Sequence, residues 1–130
     1  MQQATVAATH AALGRGRRLF NDGRFFEAHE VWEEAWLREE GETRQLLQGL
    51  IQVAAGYHQA FDRRQAHGSA WLLEAGWKRL ESLPERAGGL ALAAFREALA
   101  LSLEKARAWD RGQAGGLEPG DTPRLRLSTE

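Results

Sequence analysis

Two residues that could do chemistry stand four positions apart in the segment 25–36, FFEAHEVWEEAW. They are His29 and Glu33, and this spacing places both on one side of an α-helix, where they could bind one metal ion. A neutral imidazole and a carboxylate suit Zn²⁺, Mn²⁺ or Fe²⁺. The same winding puts both inside a broad apolar arc, so we expect a buried pair. Because burial of a lone carboxylate is costly, Glu33 then needs a partner.

A second predicted helix, over about 44–63, carries His58 near the middle of its apolar arc. With His29 and Glu33 it would complete a set of two histidines and one carboxylate. Such a set leaves positions for water, whose pKa the metal lowers, so these three residues are the candidate metal ligands and catalytic groups. Asp62, one turn further on, could hold the ring of His58. In a tight hairpin, however, His58 would lie about 9 Å along the helix axis from His29.

Four further side chains are candidates for the surroundings of the site. The same hairpin would place Glu33 opposite Gln48 and His29 opposite Gln52, while Trp32 and Trp36 could form a pocket wall. Three interpretations stay open: a metal site, a metal-free catalytic pair, and a hydrogen-bonded interior network that only fixes helix register.

The pattern of apolar residues predicts the elements that position these groups. Helical spacing recurs over about 4–20, 25–38, 44–63, 69–83 and 91–109, and no segment indicates a strand. We therefore expect an all-α fold, a compact antiparallel bundle of about five helices with short connections. Residues 1–110 should form one domain. The glycines and prolines of residues 111–130 predict a flexible tail.

Composition limits the classes of function. Seventeen Lys and Arg nearly balance eighteen Asp and Glu, so nucleic acid is an unlikely partner, and the absence of cysteine leaves histidines and carboxylates as metal ligands. No basic leader and no run of about 20 apolar residues occurs, so we expect a soluble, cytoplasmic protein without a membrane segment. Its partner would be a small molecule or a peptide, and a homo-oligomer is possible.

The motif formed by His29, Glu33 and Trp36, followed by Gln48-Gly49 and His58, resembles a family known only as domain of unknown function 309. The resemblance extends over about 13–83. It implies a small helical protein of bacteria or archaea, a proposed role in metal binding with one divalent ion, and activity as a metal-dependent hydrolase. It does not imply a substrate.

An alternative function is a non-catalytic interaction module. The segment 20–28, FNDGRFFEA, resembles the turn inside a tetratricopeptide repeat, and a 41-residue offset superposes Phe20 on Phe61, Glu33 on Glu74 and Trp36 on Trp77. Two related helical hairpins would then form a groove for a peptide or a second copy. In that case the His/Glu pair is a structural network.

Overall fold

The computed structural model describes residues 2–130, and its five α-helices confirm the all-α fold. The helices are α1 (Gln2–Asn21), α2 (Phe25–Trp36), α3 (Gly41–Phe61), α4 (Ala66–Glu81) and α5 (Ala93–Asp110). Gly23, in the turn before α2, and Gly41, the first residue of α3, both have positive φ. Within these residues no helix is long and apolar enough to cross a membrane.

An aromatic cluster of the core lies where α1, α2 and α3 meet. Trp32 of α2 is fully buried and its indole lies directly against Gly16 of α1. Phe20 makes ring contacts with Phe25, Trp32 and Tyr57 at centroid distances of 5.2 to 6.1 Å. This aromatic cluster fixes α2 between its two neighbours, and so determines which face of α2 remains outside.

Gly49 and Gly56 stand seven residues apart in the sequence of α3, and this spacing places both on one face of the helix and predicts a close backbone contact there. A Cβ at Gly49 would lie 2.7 Å from Leu80, and a Cβ at Gly56 would lie 2.7 Å from Leu73. Gly76 of α4 faces Val53 of α3 in the same way. The predicted close backbone contact along this side of α3 is therefore present, and the partner helix is α4.

A small antiparallel sheet contradicts the expectation that the chain has no strands. It joins β1 (Arg86–Ala87), β2 (Leu90–Ala91) and β3 (Arg126–Leu127), in that order. Gly88 and Gly89 both have positive φ and close the β1–β2 hairpin as a two-residue turn. Strands of two residues are too short to show alternation, which is why the pattern is invisible in the sequence.

The segment after α5 differs from the flexible tail that its composition predicts. Leu117 and Leu125 are buried, a short 3-10 helix (Pro119–Asp121) contacts α5, and β3 pairs with β2. The hydroxyl of Ser102 in α5 donates to the carbonyl of Asp121, and the amide of Ser128 donates to the carbonyl of Gly89. The segment therefore packs against α5 and the β1–β2 hairpin and contributes to the core.

Candidate functional site

His29 and Glu33 point to the same side of α2 and contact each other. Nε2 of His29 lies 3.3 Å from Oε2 of Glu33. The other imidazole nitrogen, Nδ1, is buried and makes no hydrogen bond to any residue that the structure describes. The predicted i,i+4 pair is thus present as a contact.

The expected burial of this pair is wrong. The side chain of Glu33 is 50% exposed and that of His29 is 26% exposed. The buried strip of α2 is narrower than its apolar residues suggest, and it consists of Phe25, Ala28, Trp32 and Ala35. His29 and Glu33 each follow a residue of this strip, which places them about 100° around the helix at the edge of the core. The carboxylate of Glu33 is therefore in contact with solvent.

His58 is held by the carboxylate that the spacing predicts. Its Nδ1 lies 2.7 Å from Oδ2 of Asp62, and its side chain is 22% exposed. A carboxylate on Nδ1 fixes the orientation of a histidine and leaves Nε2 as the nitrogen that can bind a metal or a proton.

The ring of Phe26 lies beside both histidines. Its centroid is 6.1 Å from that of His29 and 5.3 Å from that of His58, and its side chain is among the exposed large apolar groups. The sequence does not reveal this role, because Phe26 falls within the apolar arc of α2 and its position there predicts burial. The two histidines therefore share an aromatic neighbour on the surface.

A cleft of about 450 Å³ begins one turn beyond Glu33 at Trp36, and Gln48 and Arg79 help to line it. The guanidinium of Arg44 lies over the indole of Trp36 at 4.0 Å, a cation–π contact. Trp36 and Gln48 therefore line a cleft, but neither His29 nor Glu33 is among the residues that line it. Sequence reasoning missed both arginines, because a cation on a solvated helix face gives no periodic signal.

The predicted hydrogen-bonded network between α2 and α3 is not observed. No hydrogen bond joins Glu33 to Gln48 or His29 to Gln52 within residues 2–130. Instead, Nε of Arg79 donates to Oε1 of Gln52 at 3.1 Å. Trp32, a predicted pocket wall, is fully buried against α1.

The described residues contain no group of three or more histidine, cysteine or acidic side chains that could hold a metal ion. His29 and Glu33 therefore supply two donor side chains of the kinds that bind metals, without a third beside them in this conformation. His58 and Asp62 form a separate pair.

The fold and these contacts define a small all-α protein that carries a His/Glu pair on the outer face of its second helix. The family model described as "Domain of unknown function (DUF309)" matches residues 13–72 and confirms the resemblance to this family. The match covers α2 and α3 completely and ends within α4, short of residue 83. No curated protein matches the chain.

Proposed function

We propose that the protein binds a divalent metal ion through His29 and Glu33. The observation that supports this proposal is the 3.3 Å separation of Nε2 and Oε2. Two donors bound to zinc at about 2.0–2.1 Å in a tetrahedral arrangement are about 3.3 Å apart. The pair therefore has the spacing of two neighbouring zinc ligands without any change of rotamer.

Zinc suits the pair better than magnesium or calcium because one donor is an imidazole. Mn²⁺ and Fe²⁺ accept the same donors and are the alternatives. Two protein ligands form a weak site, and Nδ1 of His29 lacks the outer hydrogen-bond acceptor that usually supports a ligand histidine. Loss of such an acceptor typically costs about 10- to 100-fold in affinity, so we expect binding that is easily reversed by a chelator.

His58 is the candidate for a third ligand. Its pairing with Asp62 leaves Nε2 available, and Phe26 lies against both His58 and His29. A rotation of the exposed Phe26 side chain would be needed before the two imidazoles could approach one another. Substitution of His58 therefore tests whether the site has two protein ligands or three.

Hydrolase activity is a more specific proposal than metal binding alone. A bound zinc ion lowers the pKa of a coordinated water toward about 7, which supplies a nucleophile at neutral pH. The residues of this chain would contribute Glu33 beside the reacting water and, from the adjoining cleft, the guanidinium groups of Arg44 and Arg79 for a negatively charged substrate group.

The test is metal analysis of the untagged protein, followed by calorimetric titration with Zn²⁺. At saturation in the titration we expect one zinc per chain for the wild type, and at least about tenfold weaker binding for His29→Ala and for Glu33→Gln. Glu34→Gln is the matched control, because Glu34 is an exposed neighbour on the same helix. Equal zinc binding by Glu33→Gln and Glu34→Gln would refute the site.

Two further measurements use the same proteins. His58→Ala should weaken zinc binding only if His58 is a ligand. A panel of ester, amide and phosphodiester substrates, assayed with and without zinc, tests hydrolysis. Zinc-dependent turnover that Glu33→Gln loses would support the enzyme, whereas zinc binding without turnover on any bond type would leave a metal-binding protein only.

Phe26 favours a second candidate, a non-catalytic interaction module. An aromatic side chain that is 52% exposed and lies between two imidazoles resembles the anchor of a contact surface. Sedimentation of the wild type and of Phe26→Asp, each with excess chelator, tests whether the chain self-associates without metal. If the wild type and Phe26→Asp were both monomeric at all concentrations, self-association through Phe26 would be refuted.

A further inference from the structure

Five arginines converge on a cleft of about 630 Å³ where α1 ends and α2 begins. The arginines are Arg15, Arg17, Arg18, Arg24 and Arg124, and within the described part of the chain Asp22 is the only carboxylate that lines this cleft. Four of the arginines fall within ten residues of sequence, and the fifth is brought in by the C-terminal segment. This concentration of positive charge contrasts with the formal net charge of −1 for the whole chain.

The carboxylates near the cleft do not neutralise it. Arg24 forms a two-pronged ion pair with Glu27, and Arg17 lies 4.0 Å from Glu130. Within residues 2–130, no carboxylate lies within 4.0 Å of the charged nitrogens of Arg15, Arg18 or Arg124. Even with Asp22 counted against one of these, the cleft keeps about two uncompensated positive charges. Nε of Arg17 is in addition buried without a hydrogen-bond partner.

The amino end of α2 adds to this field. Arg24 occupies the N-cap position of this twelve-residue helix, and no side chain caps the free amide groups of its first turn. These N–H groups carry the positive end of the helix dipole. An anion close to this helix end would therefore be favoured.

A second cleft, of about 530 Å³, adjoins the first and is mainly apolar. It shares Asn21, Asp22 and Arg124 with the arginine cleft. Its other walls are aromatic rings and prolines, namely those of Phe20, Phe25, Phe61, Pro119 and Pro123. Thr122 also lines it, and the Oγ1 of this threonine is buried without a hydrogen-bond partner. One polar hydroxyl in an apolar wall is typical of a site that orients a ligand.

We propose that the two clefts together bind a small phosphomonoester that carries a flat ring, a ligand of the mononucleotide class. The phosphate lies among Arg15, Arg18 and Arg124, because guanidinium groups match its oxygens in a bidentate manner. The ring lies against the phenylalanine and proline walls and accepts or donates one hydrogen bond at Thr122. The volume of each cleft is within the range of small-molecule sites. The five arginines line a single cleft instead of following an extended stripe, as a nucleic-acid polymer would require.

The experiment is calorimetric titration of the full chain with adenosine 5′-monophosphate at low ionic strength, beside adenosine and inorganic phosphate. We expect the monophosphate to bind at least about tenfold more tightly than either fragment, because only it fills both clefts. Equal affinity for the monophosphate and inorganic phosphate would overturn the proposal in favour of a general anion patch. Binding of a single-stranded oligonucleotide with none of the monophosphate would overturn it in favour of a nucleic-acid surface, and no binding at millimolar concentration would overturn it outright.

Variants locate the binding. The double variant Arg18→Gln/Arg124→Gln should lower the affinity for the monophosphate by at least about tenfold. Arg86 is an exposed arginine of β1 that lies outside both clefts, so Arg86→Gln should leave this affinity unchanged. Thr122→Val keeps the shape of the apolar wall. It should lower the affinity for the monophosphate several-fold without changing the affinity for inorganic phosphate. An equal loss in Arg86→Gln, or an unchanged affinity in the double variant, would contradict the assignment to this cleft.

Discussion

Asn21, the last residue of α1, holds the backbone of Leu125 through two reciprocal hydrogen bonds. Its Nδ2 donates to the carbonyl of Leu125, and the amide of Leu125 donates to its Oδ1, both at 2.8 Å. The amide side chain thus pairs with one residue as a neighbouring strand would. This contact brings Thr122 and Arg124 to the end of α1, and both proposed clefts depend on it.

Replacement of Asn21 by alanine should release this part of the chain. Both hydrogen bonds are lost, and Leu125 is fully buried, so the free energy of unfolding should fall by about 1–3 kcal/mol. Urea denaturation measures the loss of stability, and hydrogen exchange at the Leu125 amide shows whether this part of the chain has been released. Asn21→Asp is the matched control, since it keeps an acceptor for that amide. If the Leu125 amide remained equally protected in Asn21→Ala, the contact would not hold the segment.

The composition of residues 111–130 could not predict that this segment packs against the end of α1. Glycines and prolines make up half of residues 111–120, and the short apolar alternation that follows, Arg124-Leu125-Arg126-Leu127, is only four residues long. Leu125 is buried and Arg124 is exposed, so the alternation is real. Its partner, Asn21, lies 104 residues away, and a long-range contact of this kind leaves no local pattern.

Gly16 should be the most sensitive position of α1. A Cβ there would lie 2.1 Å from Nε1 of the fully buried Trp32, so Gly16→Ala should lower the free energy of unfolding by about 1–3 kcal/mol despite the better helix propensity of alanine. Gly14→Ala is the control, because its nearest contact is the end of Arg18 at 3.7 Å, and it should stabilise by about 0.5–1 kcal/mol. Thermal unfolding of both variants checks this. Equal effects would mean that α1 and α2 can move apart without cost.

The helices were predictable, but the exposure of the candidate site was not. Gly49 and Gly56 correctly indicated the close approach that α4 makes to α3. For α2, however, the aromatic residues Phe26 and Trp36 widened the apparent apolar arc until it included His29 and Glu33. Which part of such an arc is covered depends on the angle at which neighbouring helices cross, and that angle is set by distant contacts such as Trp32 on Gly16.

Asp121 should make stability depend on pH in the acid range. The amino group of Lys105 and the amide of Glu118 hold the pKa of its carboxyl below the value of 3.8 for a free side chain. Since the ionised form is preferred in the fold, its contribution is present above about pH 4 and is lost as the pH falls through the lowered pKa. Asp121→Asn should therefore be less stable at pH 7 and show a shallower loss on acidification.

Denaturation in urea between pH 2 and pH 7 measures this difference. Glu97→Gln, an exposed carboxyl of α5 for which the structure gives no ion pair, is the control and should retain the acid dependence of the wild type. Parallel pH profiles for Asp121→Asn and the wild type would show that Lys105 does not act through this carboxylate.

Glu33→Gln should leave stability almost unchanged, and this distinguishes a surface pair from an interior network. A buried, hydrogen-bonded carboxylate would cost several kcal/mol when altered, but an exposed i,i+4 pair contributes about 0.3–0.5 kcal/mol. Glu33 is half exposed and contacts only the imidazole of His29 within ion-pair distance in the described chain, so the small value is expected. Chemical denaturation with excess chelator provides the measurement, and Glu34→Gln provides the baseline. A loss above about 2 kcal/mol would reinstate the structural network, whereas a stable Glu33→Gln that no longer binds zinc would separate the function of this carboxylate from the stability of the fold.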